Sequence, residues 1–145
     1  MVTKMKKLLY YSLFTISYSL LIGCESDEEV KQKRYFAAGN QLYETHCANC
    51  HQADGKGLAR LYPPIANSDF LAKNKAMIMC GMKYGMKDTL TIYAQRYTQP
   101  MPPNAQLYAL DIAEITSYIY IKWGKEKKIT EGKDVEKVLD KCGRD

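Results

Sequence analysis

One cluster of residues has a spacing that predicts a specific chemistry: Cys47–His51, which reads C-x-x-C-H. Two cysteines three positions apart at the end of a helix can reach the two vinyl groups of one haem and form two thioether bonds. The imidazole of the next residue, His51, then points at the iron as the proximal axial ligand. The pattern is typical of c-type haem attachment, so we predict one covalent haem c held by Cys47, Cys50 and His51.

Two other kinds of protein site contain a similar pair of cysteines and could explain Cys47 and Cys50. A thioredoxin-like C-x-x-C follows a strand in a βαβ unit, whereas this one follows a helical pattern. A structural zinc site needs a second cysteine pair, and the remaining cysteines, Cys24, Cys80 and Cys142, do not form one. A non-haem thiol-redox or interaction module is therefore kept only as an alternative.

The stretch from Tyr35 to Trp123 resembles class I cytochrome c in the order of its short motifs: Gly39, Tyr43, Cys47–His51, Gly55, Gly57 and Pro63–Ile65. The resemblance implies that Pro63, twelve residues after His51, offers its carbonyl to the His51 Nδ1–H group. Such a bond fixes the tautomer and raises the basicity of the ligand. The resemblance also implies that the first and last helices of that stretch cross closely, and we predict that Gly39 and Tyr118 meet at this crossing.

Met101 is the predicted second axial ligand. Pro100 and Pro102 flank it and favour an extended loop, which can present a thioether at a fixed distance from the iron. The resemblance agrees, because class I cytochromes carry their methionine ligand in a Met-Pro loop before the C-terminal helix. We interpret Met79, Met82 and Met86 as core or haem-pocket packing, and His46 as a surface residue.

His/Met ligation fills both axial positions of the iron, which suits electron transfer. The predicted function is therefore electron transfer in a respiratory chain by a carrier that is not itself an enzyme, although it could be a subunit of an oxidoreductase complex. If Met101 were not bound, a ligand-binding or peroxidatic haem protein with an open iron position would be the alternative.

Residues 1–23 have the order of an export signal: basic residues up to Lys7, an apolar stretch to Ile22, and a small residue, Gly23. The apolar stretch is shorter than the ~20 residues that span a bilayer. With Cys24 it resembles a bacterial lipobox, which implies lipidation of Cys24 and an exported, periplasm-facing, membrane-anchored lipoprotein. A plain signal peptide or signal anchor with an incidental cysteine is the alternative.

Loss of residues 1–23 removes three lysines and no acidic residue, which lowers the formal charge from +5 to +2. A nearly balanced surface gives no reason to expect nucleic-acid binding. We expect redox proteins and the membrane as partners, and no small-molecule substrate.

Cys80 and Cys142 remain after the lipid and haem positions are assigned. In an oxidising compartment we predict a disulfide between them; two free thiols are the alternative. The apolar patterns predict a mainly α domain with a small β-hairpin at Thr89–Tyr97. The resemblance implies a class I cytochrome c-like fold around one covalent haem. The predicted organisation is a signal peptide (1–23), a tether (24–34), the cytochrome domain (35–124) and a C-terminal tail helix tied to it (125–145).

Overall fold

The computed structural model describes residues 4–7, 26–66 and 69–142. After a helical turn at residues 4–7, its elements are α1 (Asp27–His46), α2 (Ala48–His51), α3 (Asp69–Lys73), α4 (Lys75–Tyr84), β1 (Leu90–Ile92), β2 (Gln95–Tyr97), α5 (Ala109–Lys122) and α6 (Gly132–Cys142). This is the predicted mainly helical fold with one small hairpin. The predicted lipidation position, Cys24, lies outside the described residues.

The chain divides into two units, Met1–Val30 and Lys31–Asp145, and α2 to α6 all belong to the second. Within the described residues, no helix combines the length and the apolar character needed to cross a bilayer.

Helix α1 begins at Asp27, so most of the predicted tether (24–34) is helical. Ser26 explains the start, since its Oγ accepts a hydrogen bond from the Glu29 backbone N–H at 3.3 Å. Acidic residues also fill the first turn, where they complement the helix dipole. The predicted boundary between the tether and the domain, at residue 34, therefore falls inside this helix.

Helix α5 is the centre of the core and packs against α4 and α6. Ile112, Ile115 and Ile119 recur at helical spacing along it and are 0–1% exposed. The helix starts at Ala109, because Asp111 caps it from inside the first turn: its carboxylate accepts the Tyr108 backbone N–H at 2.7 Å. The cytochrome-like segment and the tail thus share one core.

Gly39 is the point at which α1 crosses α5. A Cβ atom added at Gly39 would lie 2.1 Å from the Glu114 carbonyl oxygen and 2.8 Å from Tyr118 Cβ. The predicted contact between Gly39 and Tyr118 is confirmed. No side chain fits there unless the two helix backbones move apart.

We expect Gly39→Ala to lower the free energy of unfolding by about 3 kcal/mol, the upper end of the usual cost of overpacking, because the clash is with backbone atoms. Denaturant unfolding of the holoprotein measures this loss. Gln41→Ala, at an exposed position of the same helix, is the control and should stay within about 0.5 kcal/mol of wild type. An equally stable Gly39→Ala protein would contradict the close crossing.

Candidate functional site

A single turn of chain carries the two cysteines and the histidine. The Cys47 N–H continues the helical hydrogen bonding of α1 by bonding the Tyr43 carbonyl at 2.8 Å, and the His51 N–H bonds the Cys47 carbonyl at 2.9 Å. Cys47 and Cys50 carry free, half-buried thiols. Their three-residue separation puts both on one face of the turn. Burial, reinforced by the neighbouring Cys50, raises the pKa of the Cys47 thiol to about 12.

The His51 imidazole is held by the loop that follows it. Its Nδ1 atom lies 3.0 Å from the Pro63 carbonyl oxygen. A carbonyl only accepts hydrogen bonds, so Nδ1 carries the proton and Nε2 keeps a free lone pair. Burial lowers the pKa of His51, and the bond to Pro63 opposes this shift in part. The neutral imidazole that results is the form that binds a metal.

Gly57 allows that loop to close. A Cβ atom at Gly57 would lie 2.3 Å from the Tyr62 carbonyl oxygen, and its φ is +71°. The Gly57 N–H bonds the His51 carbonyl at 2.9 Å. The chain between His51 and Pro63 is therefore folded tightly enough to bring the Pro63 carbonyl within hydrogen-bonding distance of the His51 imidazole.

A cleft separates this segment from the opposite wall of the domain. It contains two cavities of about 190 Å³ and 70 Å³, and the residues that line both are Cys47, His51, Pro63, Met82, Met86, Leu90 and Met101. Two thiols, one neutral imidazole and several thioethers within mostly apolar walls suit a covalently attached haem. The residues present therefore fit haem c, with Cys47 and Cys50 to bond it.

Met101 is positioned by a short backbone pairing with Met86. The two residues exchange N–H···O bonds of 2.9 Å in both directions. Gly85 lies directly against this pair, because a Cβ there would be 2.7 Å from the Met101 carbonyl oxygen. The structure therefore brings Met101 to the cleft that His51 lines, and it places Met86 beside it.

A contact between His46 and Asn104 was not anticipated from the sequence. Their Nδ1 and Nδ2 atoms are 3.1 Å apart. The Asn104 Oδ1 accepts the Gln106 N–H at 3.2 Å, so Asn104 Nδ2 is the donor to His46. His46 is exposed, as predicted, yet it also joins the end of α1 to the loop after Met101. The 58-residue separation of the pair leaves no local pattern that could have revealed it.

Of four further side chains near this region, two line the cleft and two do not. Tyr62 and Tyr97 line the larger cavity. Arg60 instead donates from Nε to Gln95 Oε1 at 3.2 Å. Trp123 packs behind the loop, with its ring 5.3 Å from that of Tyr43, and supports the site from the core.

Cys80 and Cys142 form a disulfide in the structure, with their Cα atoms 5.9 Å apart. The bond joins α4, which carries Met82, to α6 in the tail. The tail is also held to α4 by an ion pair of 2.6 Å between Lys75 Nζ and Glu126 Oε2.

This chain is similar to known proteins. The family model described as cytochrome c matches residues 36–121. Cytochrome c-552 of Thermus thermophilus is 31% identical over 97 residues, which are 64% of this chain and 73% of that protein. The cytochrome c subunit of a quinone alcohol dehydrogenase from Gluconacetobacter polyoxogenes is 29% identical over 104 residues, which are 70% of this chain but only 22% of that subunit.

Proposed function

Since the chain belongs to the cytochrome c family, and so carries covalent haem c and transfers electrons, we propose that it is a membrane-anchored, single-haem carrier with His51 and Met101 as axial ligands. The observation that supports the axial ligation is the shared cleft, because His51 and Met101 line the same two cavities. The Nδ1 atom of His51 is hydrogen-bonded to Pro63. Two axial donors at one cleft favour an iron without an open position.

The bound haem supplies a one-electron Fe(III)/Fe(II) couple. The residues of the chain determine the environment of the haem. The Pro63 carbonyl accepts a hydrogen bond from His51 Nδ1–H and so makes the Nε2 atom a stronger electron-pair donor to the iron. Met82, Leu90 and Leu107 give the cleft apolar walls that exclude water. Partners are redox proteins, a proposal supported by the dehydrogenase-subunit relative.

An optical spectrum tests the axial ligation. We expect a sharp low-spin spectrum, a methionine–iron charge-transfer band in the oxidised protein, and no change when carbon monoxide is added to the reduced protein. The physical reason is that His51 and Met101 leave carbon monoxide no coordination position. A high-spin or carbon monoxide-sensitive spectrum would contradict the proposal and favour a ligand-binding or peroxidatic haem protein.

The proposed anchor is a lipid on Cys24, after removal of residues 1–23. We expect Cys24→Ser to move the protein from the membrane fraction to the soluble exported fraction, because acyl chains on Cys24 would supply the attachment. Fractionation followed by haem staining measures the change. Ser26→Ala, two residues away, is the matched control and should stay with the membrane. Unchanged membrane attachment of Cys24→Ser would contradict the anchor.

A further inference from the structure

Two methionines, rather than one, face the cleft from the same backbone pairing. Met86 and Met101 exchange both backbone hydrogen bonds. Directly opposite residues in such an antiparallel pair have Cα atoms about 5.5 Å apart and side chains on the same face. Both methionines accordingly line both cavities, together with His51.

The thioether of Met86 occupies a notch in α4. A Cβ atom at Gly81 would lie 2.8 Å from Met86 Cε and 2.9 Å from Met86 Sδ. The notch exists only because residue 81 has no side chain. Methionine has three rotatable side-chain bonds, so Met86 can leave the notch without movement of the backbone.

The other methionines of this region are held differently. Met79 and Met82 lie within α4 and are 4% and 5% exposed. Met82 lines the cleft too, but it is fixed by the helix and by its place in the core. Met86 lies beyond the end of α4, after Gly85, and its backbone pairs with that of Met101.

We propose that Met86 is a reserve axial ligand, which binds the iron through Sδ when Met101 leaves it. The inference rests on the proposed ligation by His51 and Met101. In the exchange, one sulfur–iron bond breaks and another forms, each sulfur contributing a lone pair. No electron or proton is transferred, so the oxidation state of the iron does not change. The consequence is an iron that stays closed to small ligands after Met101 is lost.

Three variants test the reserve ligand, all using leucine because Met-to-Leu replacement preserves volume. Met101→Leu is expected to keep a methionine–iron band when oxidised and to bind no carbon monoxide when reduced. Met86→Leu/Met101→Leu should lose the band and bind carbon monoxide. Met82→Leu/Met101→Leu is the matched control and should behave like the single variant. A Met101→Leu protein that is high-spin and carbon monoxide-sensitive would overturn the proposal, as would loss of the band only when Met82 is also replaced.

The proton NMR signal of the iron-bound methionine ε-methyl group separates this proposal from the primary assignment. If Met101 is the resting ligand, Met101→Leu replaces the wild-type signal with a new one at a different shift. If the wild-type signal survives in Met101→Leu and disappears in Met86→Leu, Met86 is the resting ligand, and both the assignment of Met101 and the reserve role are wrong.

Gly81→Ala provides a second approach that leaves both methionines in place. The added methyl group would occupy the notch, and the Met86 side chain from Cγ to Cε must move away from it. We expect two bound ε-methyl signals, from Met101 and from Met86, in the reduced protein. The same substitution in a Met86→Ala background should give one signal. A single unchanged signal in Gly81→Ala would overturn the proposal.

Discussion

Replacing Cys47 and Cys50 together by serine is expected to abolish covalent haem attachment, from one haem per chain to none. Serine hydroxyls form no thioether bonds with the vinyl groups, so any haem would be held only by axial ligands and the walls of the cleft. Haem-dependent peroxidase staining in a denaturing gel measures the change, since a covalently attached haem stays with the chain after unfolding.

Cys80→Ser/Cys142→Ser is the matched control for that experiment, because it also removes two cysteines from the described part of the chain. It is expected to stain as strongly as wild type. Staining of the Cys47→Ser/Cys50→Ser protein would contradict the assignment of these two thiols. Loss of staining in both double variants would point instead to failure of folding or maturation.

The local parts of the site were predictable because their geometry follows from short spacing. Cys47, Cys50 and His51 lie on one turn. The contact between Pro63 and His51 Nδ1 was instead implied by the resemblance to class I cytochromes, and Gly57 allows the loop that makes it to close. The hairpin was predictable for a similar reason: residues 89–97 alternate β-branched and aromatic types, and Leu90 indeed pairs with Tyr97.

The parts that the sequence did not reveal depend on distant contacts. Met86 pairs with Met101 across fifteen positions of chain that include the hairpin, and nothing in either residue's neighbours specifies that register. Lys31 forms an ion pair of 2.7 Å with Glu131 in the tail. Lys31, which falls in the predicted tether, therefore lies in a helix and has a partner from the other end of the chain.

Removing the disulfide between Cys80 and Cys142 is expected to have the largest effect on stability. The bond closes a loop of 62 residues. In the chain-entropy model, a cross-link over such a loop stabilises the folded state by about 4 kcal/mol, because it restricts the unfolded chain. Denaturant unfolding of Cys80→Ser/Cys142→Ser, compared with wild type with and without a reductant, measures this contribution.

We expect the tail to stay docked in that variant. Loss of the disulfide should therefore lower the free energy of unfolding without changing the folded structure. Val135 of α6 is 0% exposed, and the Thr130 N–H donates to Ser117 Oγ at 2.8 Å. These contacts do not need the sulfur atoms. We therefore expect an unchanged optical spectrum together with a lower unfolding midpoint. With the iron of both proteins reduced, a disulfide reductant should lower the wild-type midpoint to that of the variant. An unchanged midpoint, or free thiols titrated in denatured but unreduced wild type, would contradict the bond. A lost methionine–iron band would mean instead that the disulfide, through α4, also holds the wall of the cleft that carries Met82.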